Sequence, residues 1–336
     1  QGRGGRRVAD AQVATEQQPS AARDLLPGDV ATQREGRADG LVGQRVLDVD
    51  GARTAGDPAG GHGARQVGEV VVDGDVPGAP GVARFELATS DDFADAVESG
   101  WMEATAEGDF IIQAKMDGLR AGTRYYYRLR YGPGQDNTRV GPTRSFSTLS
   151  GADAATEVSF VVVTGMNYAQ FHGDGPSAGS PADKLLGYPA LETILGKHPA
   201  FFVATGDNVY YDVPFGRFER TQTFMRKKWH EQLVQPRFIA LFAEVPTYWE
   251  KDDHDYRYND TDNTVDTEPD PSPALGAATF LEQVPVVDPN DPNALTYRTH
   301  RVSRDLQIWL TEGGDYRSPH MMPQGRCKTL WGAAQL

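Results

Sequence analysis

Cysteine is nearly absent from this 336-residue chain. Cys327 stands alone, so no disulfide can close within the chain, and neither a cysteine zinc site nor a CxxC redox pair is available. Any metal must be held by oxygen and nitrogen ligands. Long apolar runs are missing too. No stretch of about eighteen apolar residues offers a membrane span, and the Arg-rich start (Arg3, Arg6, Arg7) is followed by no apolar segment of an export signal. Positive charge is in the minority, with 33 Lys and Arg against 47 Asp and Glu and a formal charge of −14. That balance provides no general field for nucleic acid or an anionic membrane. An acidic protein that handles anionic phosphate has to concentrate positive charge locally, and bound metal ions do this when Lys and Arg are scarce.

Aromatic residues are missing from residues 1–66, which are rich in Gly, Ala, Arg, Asp and Gln and show neither a 2.0 nor a 3.6 period of apolar positions. Such a segment buries too little apolar surface to offset an ordering entropy of roughly 1–2 kcal/mol per residue. It is expected to be disordered, or to be a non-native translation of the wrong frame. The length suits two domains.

From about Val67 to Leu149 the texture changes to short β-branched and aromatic runs, Val82–Ala88, Phe110–Met116, Thr123–Tyr131 and Thr143–Thr148, punctuated by Gly, Asp and Pro. This predicts a small β-sandwich over 67–149. In LRAGTRYYYRLR (Leu119–Arg130), Tyr125 and Tyr127 share one strand face and Tyr126 and Arg128 the other, behind a Gly-Thr turn. The run resembles the end of a fibronectin type III module, where such a tyrosine packs at a sheet corner. Val67–Val76 is a candidate for a replacement opening strand.

Beyond Ser150, apolar strands alternate with helical stretches: strand Val158–Val163, helix Asp183–Gly196, strand Ala200–Ala204, and a long helical span near Phe218–Leu241. A strand around Val245–Trp249, a loop rich in Asp, Pro and Thr, a helix near Ala274–Gln283 and strands near Tyr297–Val302 and Leu306–Leu310 follow. The region 150–336 is therefore expected to be a layered α/β domain.

Two strand ends carry the chemistry. Ala200–Ala204 runs into GDNVYYD (Gly206–Asp212), and ligands gather beyond the C-terminal ends of strands in layered α/β folds. Gly-Asp-Asn alone is also an ordinary turn. The second segment, WEKDDHDYRYND (Trp249–Asp260), crowds Asp252, Asp253 and Asp255 around His254, with Asn259 and Asp260 close behind. Like charges this close raise one another's pKa unless a cation or hydrogen bonds offset them, so a hard-cation site is expected. His254 by itself could simply be ion-paired.

At these two segments the chain resembles the PhoD-like (alkaline phosphatase D) family of the calcineurin-like metallophosphoesterase superfamily, and the likeness runs from about Val82, through FELATSDDFADAV (Phe85–Val97), to the final LWGAAQL (Leu330–Leu336). The resemblance implies a layered α+β metallophosphoesterase domain, an incomplete β-sandwich with flanking helices, preceded by the fibronectin III-like module. It implies that Asp207 bridges two metals, that Tyr210 ligates a ferric ion as phenolate, that Asp253 is a metal ligand and that Asp252 and Asn259 assist. His254 is the implied catalytic imidazole, and Arg317 in GGDYRSPH (Gly313–His320) is a candidate to grip phosphate oxygens, with a surface ion pair as its alternative. The implied cofactors are Fe3+ and Ca2+, with other divalent metals as alternatives. The implied function is hydrolysis of small or polymeric phosphate esters by a monomer that is secreted or periplasmic.

The chain also departs from the family's pattern. Met166 stands where a metal-binding cysteine is frequent, leaving Asn167 or a water to fill the place, and Gly314 stands where an arginine is frequent. The C-terminal histidine motifs of the superfamily are not found, so the chain reads as truncated. The competing reading is a catalytically dead fragment or binding module with a vestigial cation site. His300 is expected to be a packed or exposed strand residue, not a ligand.

Overall fold

The computed structural model describes residues 37–45 as a strand, residue 75, and residues 78–214, 219–264, 271–288, 291, 295–332 and 335. The strands of the first part are β1 (Arg37–Arg45), β2 (Gly81–Ala88), β3 (Val97–Glu98), β4 (Met102–Ala104), β5 (Ile111–Arg120), β6 (Arg124–Gly134), β7 (Asn137–Val140) and β8 (Arg144–Ser147). Then come β9 (Phe160–Val163), α1 (Tyr168–His172), α2 (Pro181–Leu186), α3 (Pro189–Leu195), β10 (Phe201–Thr205), α4 (Gln222–Leu233), α5 (Pro236–Phe242), β11 (Thr247–Glu250), α6 (Pro273–Gln283), β12 (Arg298–Ser303) and β13 (Leu306–Leu310).

In the first part, an antiparallel sheet ordered β3-β2-β6-β7, with β4 also on β2 and β8 also on β6, faces the β1-β5 pair. Ala83, Phe85 and Leu129 pack with Ile112 and Ala114 of β5 to form its core. The alternation of β6 buries Tyr125 and leaves Tyr126 half-buried. At the corner, the Tyr125 hydroxyl accepts the Arg120 N–H at 2.8 Å, so a buried phenol satisfies a main-chain donor that the turn leaves unpaired.

β1 lies within the segment expected to lack regular structure, and it pairs antiparallel with β5 from Arg37↔Arg120 to Arg45↔Ile111. Its sequence, RADGLVGQR, has no strand periodicity, and main-chain pairing along β5 carries it. Of Val67–Val76, only Asp75 falls within the described residues, outside any strand. The rest of 1–66 also lies outside them.

In the second part, β9, β10 and β11 form a parallel sheet with β10 at its centre. A parallel strand covered on both faces should read as a continuous apolar run, and Phe201–Ala204 are all buried. Phe202 and Ala204 face the helical layer of Met225, Trp229, Phe238, Leu241 and Phe280. Phe201 and Val203 face Val302 and Leu310 of the β12–β13 hairpin. All three parallel strands therefore end at one edge.

Two expected helices are broken. The stretch Asp183–Gly196 is interrupted at Gly187, which takes φ +92, and at Pro189, which starts α3; a proline has no N–H to continue the preceding ladder. The stretch near Phe218–Leu241 is split by Pro236 into α4 and α5. The two parts are pinned together: the Tyr127 hydroxyl donates to Ala243 O at 2.7 Å and Gln113 Nε2 to Glu282 O at 3.0 Å. Buried His230 of α4 sits between the carboxylates of Asp75 and Asp109. Among the described residues, no helix is long and apolar enough to cross a membrane.

Candidate metal centre

The loops beyond β9, β10 and β11 are stitched to one another by side chains. Thr164 Oγ1 donates to Gly206 O at 3.1 Å, and Met166 N to Asp207 O at 3.0 Å. Gly206 adopts φ +89, and a Cβ there would lie 2.3 Å from Asp252 Cβ, so only glycine lets the two loops touch. Asp207 follows in the left-handed region at φ 53, which directs its carboxylate across the strand ends.

Asp255 is the staple. Its fully buried carboxylate accepts Asn208 N at 3.0 Å, Asn208 Nδ2 at 2.6 Å and Asp252 N at 2.8 Å. Burial pushes it up to about 8, against the pull of those three donors. The Asn208 carboxamide also donates to Glu250 O at 3.0 Å, so the first loop is fastened to the end of β11.

Held in this way, Asp207, Asp253 and His254 each offer one ligand atom, all within 4.8 Å of one another. Asp207 Oδ2 accepts the Tyr210 hydroxyl at 2.9 Å, while its Oδ1 is buried with no partner. Burial raises the Asp207 carboxyl; Tyr210 and His254 lower it, and Asp253 raises it again. Loss of solvent on its inner side, then the Asp253 and Asp207 carboxylates, push Asp252 up to about 6, although the residue as a whole is exposed. The Tyr210 phenol is driven well above its ordinary range by burial and Asp207.

His254 packs its ring 4.3 Å from that of Tyr210, and its Nδ1 lies 2.7 Å from Asp212 Oδ1. The other Asp212 oxygen accepts Asn259 N at 2.9 Å. Burial alone would lower the His254 imidazolium; the Asp212 carboxylate, with Asp207 and Asp253, overrides it and brings it to about 9. The pairing leaves Nε2 as the outward nitrogen of a ring whose orientation is fixed.

The expected site residues separate accordingly. Asp207, Tyr210, Asp253 and His254 come together. The Asn259 carboxamide turns away to Asp260 Oδ2 at 2.8 Å, and Asn259 meets the site only through its backbone N–H. Arg317 lies where its charge reaches Asp262. The Asn167 oxygen caps α1 by accepting Gln170 N, so it is already engaged, and Met166 is buried. His300 packs on Tyr248 with ring centroids 4.5 Å apart. The sequence assigns Asp212 no role and counts Asp255 among the carboxylates of the expected cation site, whereas here Asp255 is turned to three N–H donors and Asp212 to His254; what distinguishes them is which neighbour each faces, and that requires the fold.

Does this set fit a cation? Two carboxylates, an imidazole and a phenol suit a hard ion, and an orphaned, buried carboxylate oxygen is an acceptor waiting for one. Among the described residues this is the one such group of three, enough for part of one coordination sphere.

Residues 64–147 match the family described as PhoD-like phosphatase, N-terminal domain. The solved structure of PhoD is similar with a TM-score of 0.63 at 17% identity, covering 89% of this chain and 57% of that one. The chain thus spans a little over half the length of that relative. A purple acid phosphatase, PPD1, from yellow lupin (Lupinus luteus) seeds aligns at 12% identity and a TM-score of 0.42, over 66% of this chain and 38% of that one. No curated protein matches the chain. Residues 64–147 thus carry the N-terminal domain of PhoD-like phosphatases, and the fold along most of the chain is that of PhoD.

Proposed function

We propose that the chain belongs to a metal-dependent phosphoesterase, with its site on Asp207, Tyr210, Asp253 and His254. One observation carries the reading: the buried, partnerless Asp207 Oδ1 lies in a group with Asp253 and with a His254 that Asp212 holds at 2.7 Å. A structural turn has no need of an unpaired acceptor. Unless a ligand uses it, such an atom costs about 1–3 kcal/mol.

When bound, metal ions would supply Lewis-acid charge for the phosphoryl group and the attacking water. Asp207 and Asp253 would hold them, with Tyr210 ligating after giving up its proton, and Asp252 assisting from the rim. Fe3+ and Ca2+ are the ions proposed. His254, as imidazolium, stabilises charge on the phosphoryl oxygens or gives a proton to the leaving oxygen. Asp212 fixes the ring and keeps the proton on it. Arg317 is proposed to contact non-bridging oxygens, and esters of small or polymeric phosphates are the proposed substrates.

The same reading takes residues 67–149 as a fibronectin III-like module, supported by the Tyr125 corner, and 150–336 as part of the phosphatase domain of a monomer working outside the cytoplasm. The presence of a single three-ligand group among the described residues favours one rival, a vestigial cation site that binds without turnover. Purified chain supplied with iron and calcium should release nitrophenol from nitrophenyl phosphate or its diester, and His254→Ala should lower the rate about 10²–10⁴-fold. Metal binding without nitrophenol release would favour the rival, and the absence of both would sink the proposal.

A further inference from the structure

Lys251 immediately precedes the metal-loop residues, yet its side chain is completely buried. A buried ammonium is costly unless it is paired and hydrogen-bonded. Here Nζ lies 2.9 Å from Glu312 Oε1 and 3.3 Å from Asp315 Oδ1, and 3.8 Å from the centroid of the Tyr256 ring. Glu312 is equally buried, and its Oε1 also accepts Gly314 N at 3.0 Å. Gly314 is pressed against this arrangement: a Cβ there would be 2.9 Å from Tyr256 Cδ1 and 3.4 Å from Lys251 Nζ.

The segment gripped in this way carries Arg317 two residues beyond Asp315. Its far side is held as well. Asn263 Nδ2 donates to Asp315 O at 2.8 Å, and the His320 N–H donates to Asp262 Oδ2. Arg257, itself buried, fixes the Asp262 carbonyl at 2.8 Å. Asp260 N meets Asp253 on the same loop. Residues 312–320 are therefore attached to the loop of Asp253 and His254 at both ends, through Lys251 on one side and through Asn263 and Asp262 on the other, and Lys251 provides the buried ion pair.

We infer that Lys251 is a positioning residue, which locks the segment 312–318 onto the metal loop through Glu312 and Asp315 and so fixes Arg317 relative to Asp253 and His254. It touches no substrate, since its charge is buried and paired with acids. This inference rests on the phosphoesterase reading for its consequence in catalysis, but not for the lock itself.

Two variants test it. Lys251→Met leaves two acids facing one another and is expected to lower the melting temperature. Lys251→Met with Glu312→Gln removes one charge of each sign, and the glutamine oxygen still accepts the Gly314 N–H. The double variant is expected to regain the lost melting temperature, while amides of residues 313–320 exchange with solvent at least tenfold faster than in the wild type. In the metal-loaded protein its KM for nitrophenyl phosphate should stay at least tenfold raised, with kcat within threefold, and Arg317→Ala should add no further increase. Wild-type exchange in 313–320, or a KM that recovers with the melting temperature, would overturn the lock. If the wild type hydrolyses nothing, the phosphoesterase reading fails, and the exchange measurement alone decides the lock.

Discussion

Replacing Asp207 with asparagine should stabilise the metal-free protein while destroying its response to metal, a pairing of signs that a structural carboxylate would not give. The buried Oδ1 has no partner, and the Asp253 carboxylate faces the same space. Leaving an acceptor of this kind unsatisfied costs about 1–3 kcal/mol, and the neighbouring carboxylate adds to the cost. Asparagine keeps one oxygen for the Tyr210 hydroxyl and offers an NH2 toward Asp253. Burial raises the Asp207 carboxyl above its unfolded value. Its favourable share is therefore present below about pH 4 and is lost as pH rises through the folded pKa, so the gain from asparagine should grow with pH and vanish in acid. In chelator at pH 8, a gain of about 1–3 kcal/mol corresponds to roughly 2–12 °C in melting temperature, at about 2–4 °C per kcal/mol. A metal ion at a hundred times its Kd should raise the wild type by about 2.7 kcal/mol, or roughly 5–10 °C, and the variant by almost nothing. The assay is thermal unfolding in chelator and in graded metal. A variant less stable than wild type in chelator, or one that retains the metal shift, would refute the reasoning.

Two further outcomes follow from the same geometry. Asp212→Asn removes the carboxylate 2.7 Å from His254 Nδ1; the His254 C2–H resonance, titrating near 9 in the metal-free wild type, should titrate at least about one pH unit lower, with kcat down about 10²–10⁴-fold, and an unchanged titration would show that Asp212 does not hold the proton. His300 is held down to about 4 by burial and by Arg298, so between pH 6.5 and 4 the unfolded chain binds the extra proton and stability falls as pH drops. The loss should approach about 3 kcal/mol, and denaturant unfolding at pH 7 and 4.5 should show it in wild type but not in His300→Gln.

The site was legible where chemistry shows in composition, and illegible where it depends on direction. Asp207 and His254 stand at the ends of apolar strands, and a run such as Phe201–Ala204 announces both its burial and the edge where it stops. Four carboxylates separate by function only in three dimensions: Asp253 faces the ligand group, Asp255 turns inward to three N–H groups, Asp212 reaches back to the imidazole, and Asp252 lies exposed on the rim. Periodicity cannot distinguish them, because each lies in a turn where no repeat governs side-chain direction. The helices failed for a related reason. The apolar pattern continues across Pro236, since α4 and α5 pack on one core, whereas the main chain is interrupted by a missing N–H that a hydrophobic pattern does not record; at Gly187–Pro189 only α3 joins that core, and α2 buries no residue. Lys251 is the extreme case. In sequence it is one more charge in an acidic run, and only its two partners, sixty residues downstream by roughly that count, turn it from a solvated side chain into a buried tie between the two loops that a working site would have to keep in register.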